Sequence, residues 1–106
     1  MIGDFHAHVY FDPETYVTAA ELRKEVNRRF AVQLGRVHTQ PIGPHSKGMF
    51  QIAFKPTDFA VLVPWLMLNR SGLDVLIHPK TGDDLADHSS NAAWLGVRLP
   101  LDLEAL

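Results

Sequence analysis

The strongest constraint on this chain is the order in which its hydrophobic period changes. Residues Asp4 to Phe11 alternate, with Phe5, Ala7, Val9 and Phe11 on one side and His6, His8 and Tyr10 on the other. That is a strand with one apolar and one polar face. Asp12-Pro13 then opens a helix, in which Leu22, Val26, Phe30 and Leu34 recur every four residues until Gly35 stops it. Arg36 to Gln40 reads as a short strand, and Met49 to Lys55 as a further strand with Phe50, Ile52 and Phe54 on its apolar face. A second helix is predicted over Phe59 to Asn69, with Pro64 kinking or delaying it. Leu73 to His78 is the fourth strand, Pro79 to Asn91 a long polar loop, and Ala92 to Leu101 contains a last short strand.

The order strand, helix, strand, strand, helix, strand is the split βαβ pattern of a ferredoxin-like α+β sandwich. It predicts an antiparallel four-stranded sheet in the order 4-1-3-2, both helices on one face, and a C-terminal extension. At 106 residues the chain fits one domain spanning 1–106.

If the apolar residues of each strand face the helices, His6, His8, Tyr10, His38, Gln51 and His78 all fall on the open face. The first and fourth strands are antiparallel neighbours, which makes His6 and His78 cross-strand partners about 5 Å apart at Cβ. His8 lies two residues along, roughly 6.5–7 Å from His6. Imidazoles from these three positions can converge on a metal at about 2.1 Å each. His38, on the far strand, is not expected to reach it.

Composition narrows the alternatives. Six histidines are many for a chain of this length, and there is no cysteine, which excludes disulfides, thiolate metal sites and cysteine nucleophiles. The net charge of −2 and the scattered basic residues give no nucleic-acid footprint. Arg23, Lys24, Arg28 and Arg29 read as the solvated face of the first helix, and a single arginine meeting a substrate carboxylate cannot be picked out. The longest apolar stretch, Phe59 to Leu68, is about half a membrane span. Met1 to Asp4 lacks the basic start of a signal peptide, so a cytoplasmic protein that does not engage membranes is expected.

The segments Phe5-His6-Ala7-His8-Val9-Tyr10-Phe11-Asp12, Gly43-Pro44-His45, His78-Pro79-Lys80-Thr81-Gly82 and Asp87-His88 resemble the DOPA 4,5-dioxygenase family, and the likeness runs on to Trp94-Leu95-Gly96. Ser46 stands where a proline is expected after Gly-Pro-His. The resemblance implies an extradiol ring-cleaving dioxygenase that uses non-haem Fe(II) and O₂ on a catechol such as DOPA. Iron that binds a catecholate through both oxygens leaves room for about three protein ligands, and a two-histidine, one-carboxylate set is usual. On that footing His6, His8 and His78 are the expected ligands, with Asp87 as the carboxylate should one of them prove not to bind. His45 and His88 are the candidate acid–base residues. The sheet face without helical cover suggests a homodimer. Two rival readings remain open at this stage: a metal-free binding or assembly module, and a small zinc hydrolase.

Overall fold

The computed structural model describes residues 2–106. Five antiparallel strands form one sheet: β1 (Asp4–Phe11), β2 (Gln33–Leu34), β3 (Gly48–Phe54), β4 (Val75–Lys80) and β5 (Ala93–Leu95). Their order is β2-β3-β1-β4-β5, the predicted arrangement with β5 added outside β4. Helices α1 (Tyr16–Arg29) and α2 (Pro56–Asn69) pack on one face. Ala19, Leu22 and Val26 of α1 and Leu62, Val63 and Leu66 of α2 share a buried core with Ala7, Val9, Phe50, Ile52, Val75 and Ile77. The fold is a ferredoxin-like α+β sandwich with one strand more than four.

The first helix is shorter than its four-residue recurrence implies. It ends at Arg29, and Phe30 is already extended (φ −127°, ψ 143°). Phe30 and Leu34 still pack against the core, but from extended backbone. The Phe30 ring lies edge-on to Trp65 at 5.4 Å, and Leu34 pairs with Ile52 of β3. Strand pairing thus overrides the helical stripe. Arg23 ties the two segments together, donating through Nε and a terminal nitrogen to the Gly35 carbonyl at 3.1 and 2.9 Å.

The second strand accordingly falls at Gln33–Leu34 rather than at Arg36–Gln40. Only His38 of the predicted stretch pairs, in a single bridge to Met49. From Leu34 to His38 the edge runs four residues while β3 runs three, from Ile52 to Met49. The extra residue is a bulge, which breaks the edge strand in two.

The second helix starts at Pro56, three residues earlier than predicted, and runs unbroken through Pro64. Proline at the first helical position forfeits no bond. Pro64 and Ala60 are both exposed, so the carbonyl that Pro64 leaves unpaired faces water. Strand β4 likewise runs past His78 to Lys80. β5 pairs only with Val75 to Ile77, so Pro79 needs a ladder partner on one side alone. The predicted loop after it holds a one-turn helix, α3 (Asp84–Asp87), capped by Asp83, whose carboxylate accepts the Ala86 N–H at 3.0 Å.

The opposite sheet face is not bare. Tyr10, Met49 and Leu76 form a second buried cluster, covered by Ala92, Trp94, Leu99 and Leu101. The chain's own C-terminal segment supplies this cover, which removes the exposed face from which a homodimer was expected. No helix among the described residues is long and apolar enough to cross a membrane.

Candidate metal centre

The alternation of β1 sends His6 and His8 to the face away from the helices. Register then pairs His6 with His78, as the sequence predicts. One ligand atom from each of His6, His8 and His78 lies within 4.8 Å of the others. His8 Nε2 and His78 Nε2 are 3.1 Å apart. Two nitrogens each about 2.1 Å from one ion sit roughly 3.0–3.4 Å apart when they are neighbouring ligands, so this spacing fits.

Two more histidines border the trio. The His45 ring centroid is 4.3 Å from that of His8, and the His88 centroid 4.2 Å from that of His78. His38 stays on the far strand, outside the converging group.

The rings of His6, His8, His45 and His78 favour the neutral form. Burial pushes His8 well below the usual imidazole range, and the neighbouring His45, His78 and His6 push the same way. Burial lowers His45 to about 4, helped by His88 and His78. Burial also lowers His78 to about 4, against the opposing effect of its bond to the Pro79 carbonyl. His6 is lowered by burial and by Lys80. Neutral imidazoles with free lone pairs are what a divalent metal requires.

Hydrogen bonds sort the tautomers. A carbonyl can only accept, so His78 donates from Nδ1 to Pro79 O (2.9 Å) and His88 donates from Nδ1 to Asp84 O (2.8 Å). In each neutral ring Nε2 is therefore the basic nitrogen. A backbone carbonyl holding Nδ1–H is also the arrangement that orients metal-binding histidines. His45 is the reverse case. Its Nδ1 lies 2.7 Å from the Tyr10 hydroxyl, which is buried and, among the described residues, has this one partner. The phenol must donate to satisfy its proton, which places the His45 proton on Nε2.

His8 lacks such an orienting bond. Its Nδ1 is buried with no hydrogen-bond partner among the described residues. A lone polar atom of this kind costs about 1–3 kcal/mol. Converging ligand atoms and neutral rings together fit a bound divalent ion.

Asp87, the carboxylate kept in reserve as a ligand, is bonded within its own loop. Fully buried, it accepts from Thr81 N (2.9 Å), Thr81 Oγ1 (2.7 Å) and Asn91 Nδ2 (3.2 Å), tying together the two ends of the loop. Burial pushes its carboxyl up, but the bonds from Thr81 and Asn91 outweigh that and hold it below the usual range. Its oxygens lie outside the converging group, and the bonded loop fixes the position of the adjoining His88.

Sequence reasoning missed two features. The parity of His6 and His8 already puts Tyr10 on the open face; what it does not give is the bond to His45. The second is a cavity of about 300 Å³ between His88 and the C-terminal segment, walled by Trp94, Arg98, Leu99, Leu101 and Leu103. No local pattern marks those residues. They arrive by the return of the tail, where Leu101 bridges His45 and Asp102 N donates to Pro44 O at 2.8 Å. A larger hollow, about 570 Å³ beside Phe11, Tyr16, Pro41 and Lys47, contains none of the histidines.

Comparison with known proteins places the chain in a family. The model of the Dopa 4,5-dioxygenase family matches residues 5–105. The DOPA 4,5-dioxygenase of Amanita muscaria is 37% identical over 99% of this chain and 50% of its own length. An uncharacterised 21.2 kDa protein of Botryotinia fuckeliana is 37% identical over 95% of this chain and 62% of its own. The chain thus spans between half and two thirds of these curated relatives. The crystal structure of a proposed dioxygenase from Nostoc punctiforme superposes with a TM-score of 0.96 at 55% identity, covering 98% of this chain and 90% of that one. With residues 5–105 matched by the family model, the chain belongs to the Dopa 4,5-dioxygenase family.

Proposed function

We propose that this protein is an extradiol ring-cleaving dioxygenase that holds Fe(II) through His6, His8 and His78 and opens a catechol with O₂. The observation that carries the reading is the convergence of three neutral imidazoles within 4.8 Å, beside two further histidines of opposite tautomer. When bound, the iron would hold O₂ and the catecholate together and pass electrons between them, directing to ring opening a pair that otherwise reacts only slowly and without cleaving the ring. The ring carbon–carbon bond next to the diol and the O–O bond break, and each freed carbon takes one oxygen atom, so no external reductant is needed.

The remaining steps fall to side chains. A catechol must lose protons as it binds, and His88, with Nε2 basic and its ring against His78, is the group to accept one. A proton must later be returned to oxygen, and His45 carries it on Nε2. The Tyr10 phenol, pushed far above its usual range by burial, stays protonated and keeps His45 in that form. The apolar cover of Trp94, Leu99 and Leu101 limits water around the developing charges.

The test is metal analysis of untagged protein together with turnover of DOPA and simple catechols. Iron in near one-to-one ratio, a yellow ring-opened product, and loss of both in His8→Ala and His78→Ala are expected. Zinc with hydrolase activity, or folded protein that takes up no metal and cleaves no catechol, would sink the proposal.

A further inference from the structure

The cavity beside His88 carries more information than the reaction class. Its charged or titratable wall residues are His88 and Arg98, the rest being Ser89 and apolar or aromatic groups such as Trp94, Leu99 and Leu101. No aspartate or glutamate lines it. Arg98, like Arg36 outside this cavity, makes no ion pair and no side-chain hydrogen bond with the described residues, whereas Arg28 and Arg29 are paired with Glu25, and Arg23 and Arg70 are bonded to backbone carbonyls. An exposed guanidinium with five donors and no partner, sharing the cavity with Trp94, Leu99 and Leu101, is suited to a planar carboxylate. His88 lines the same cavity, and its ring lies 4.2 Å from His78 of the metal-binding trio.

Resting on the catechol reading above, we propose that this cavity takes the side arm of the substrate, and that Arg98 makes the enzyme selective for catechols bearing a carboxylate arm without a cationic group. The aromatic ring then lies towards His88, the arm runs along Trp94 and Leu99, and the carboxylate meets Arg98. A neutral arm leaves Arg98 unused. An ammonium group finds no acidic side chain in the cavity wall and must be stripped of water without recompense. The inference therefore separates this chain's preference from an amino-acid substrate such as DOPA: a dihydroxyphenylpropionate should be the better substrate.

The experiment compares kcat/KM for 3,4-dihydroxyphenylpropionate, DOPA, 4-methylcatechol and dopamine in the iron-loaded protein and in Arg98→Gln and Arg98→Lys. The native protein is expected to favour the propionate over 4-methylcatechol by about 10-fold or more, with dopamine poorest. Arg98→Gln should cut kcat/KM for the propionate by about 10–100-fold, chiefly through KM, as fits loss of a charge-assisted pair. Arg98→Lys, which keeps the charge and loses the fork, should fall between. A native preference for DOPA or dopamine, or an Arg98→Gln effect equal on charged and neutral catechols, would overturn the assignment. Should no catechol be opened at all, the reaction proposal fails, and calorimetry with 3-phenylpropionate then judges this one separately. Binding that weakens in Arg98→Gln upholds it, and no binding to the native protein refutes it.

Discussion

Tyr10 shows how much of the proposed chemistry rests on one oxygen atom. It is 1% exposed and donates to His45 Nδ1 at 2.7 Å. Tyr10→Phe keeps the ring that stacks on Trp94 and removes only the hydroxyl. Its loss leaves His45 Nδ1 buried without a donor, a cost of about 1–3 kcal/mol in stability. It also frees His45 to take the other tautomer, with no proton on Nε2. The expected result is a kcat lowered about 10-fold or more, KM and iron content near native, and a changed pH–rate profile. Native kcat would show that the phenol only fills space. Asp87 poses a related question, since as a ligand and as a loop tie it predicts different outcomes. If it holds Thr81 and Asn91, Asp87→Ala should retain iron while losing most activity through displacement of His88. Loss of iron comparable to that in His78→Ala would restore the carboxylate to the ligand set.

At the scale of elements, the parts legible in the sequence were those set by alternation and the parts missed were those set by distant contacts. The parity of β1 placed His6 and His8 on one face, and antiparallel pairing then brought His78 opposite His6. The end of α1 was misread because Phe30 and Leu34 continue its stripe while pairing and packing from extended backbone. The edge strand was misplaced because a bulge is a property of two strands, visible only when Leu34 and His38 are counted against Ile52 and Met49. The C-terminal segment was hardest to read, because its role depends on a turn at Gly96. There φ is +84°, and the Val97 N–H donates to Asp74 Oδ1 at 2.8 Å as the tail crosses back. A methyl group at this position is strained by its φ and collides with the Asp74 carboxylate. Gly96→Ala should therefore cost about 1–3 kcal/mol and loosen the cover over Tyr10 and Leu76. A lowered melting temperature and faster amide exchange at Leu99 and Leu101 are expected, with the exchange of β3 unchanged. If the tail exchanges as in the native protein, Gly96 is not its hinge.

For the molecule as a whole, the histidine cluster makes stability depend on pH in a direction that can be worked out. In the metal-free protein burial holds His45 and His78 at about 4, while the same side chains in an unfolded chain titrate near 6.5. Between those values the unfolded state binds more protons than the native one, so stability rises with pH across the window. It is fully present above about pH 6.5 and drains away as pH falls towards 4. Each unit of difference is worth about 1.4 kcal/mol per group, and domains of this size have only about 5–15 kcal/mol in hand. His8, lowered by the same burial, adds to the slope in the same sense. Urea unfolding of chelator-treated protein should therefore show a midpoint that is flat from pH 8 to 7 and falls steadily below 6.5. Adding Fe(II) without oxygen at pH 7 should raise the midpoint, since the ion binds only where the three rings converge. Replacing His45 by glutamine should make the acid limb shallower while the metal-induced gain persists, because His45 borders the trio without belonging to it. An acid limb unchanged in that variant, or a metal-free midpoint indifferent to pH between 7 and 4.5, would mean that the rings are already protonated or exposed in the native protein, and the site could not then present neutral ligands at all.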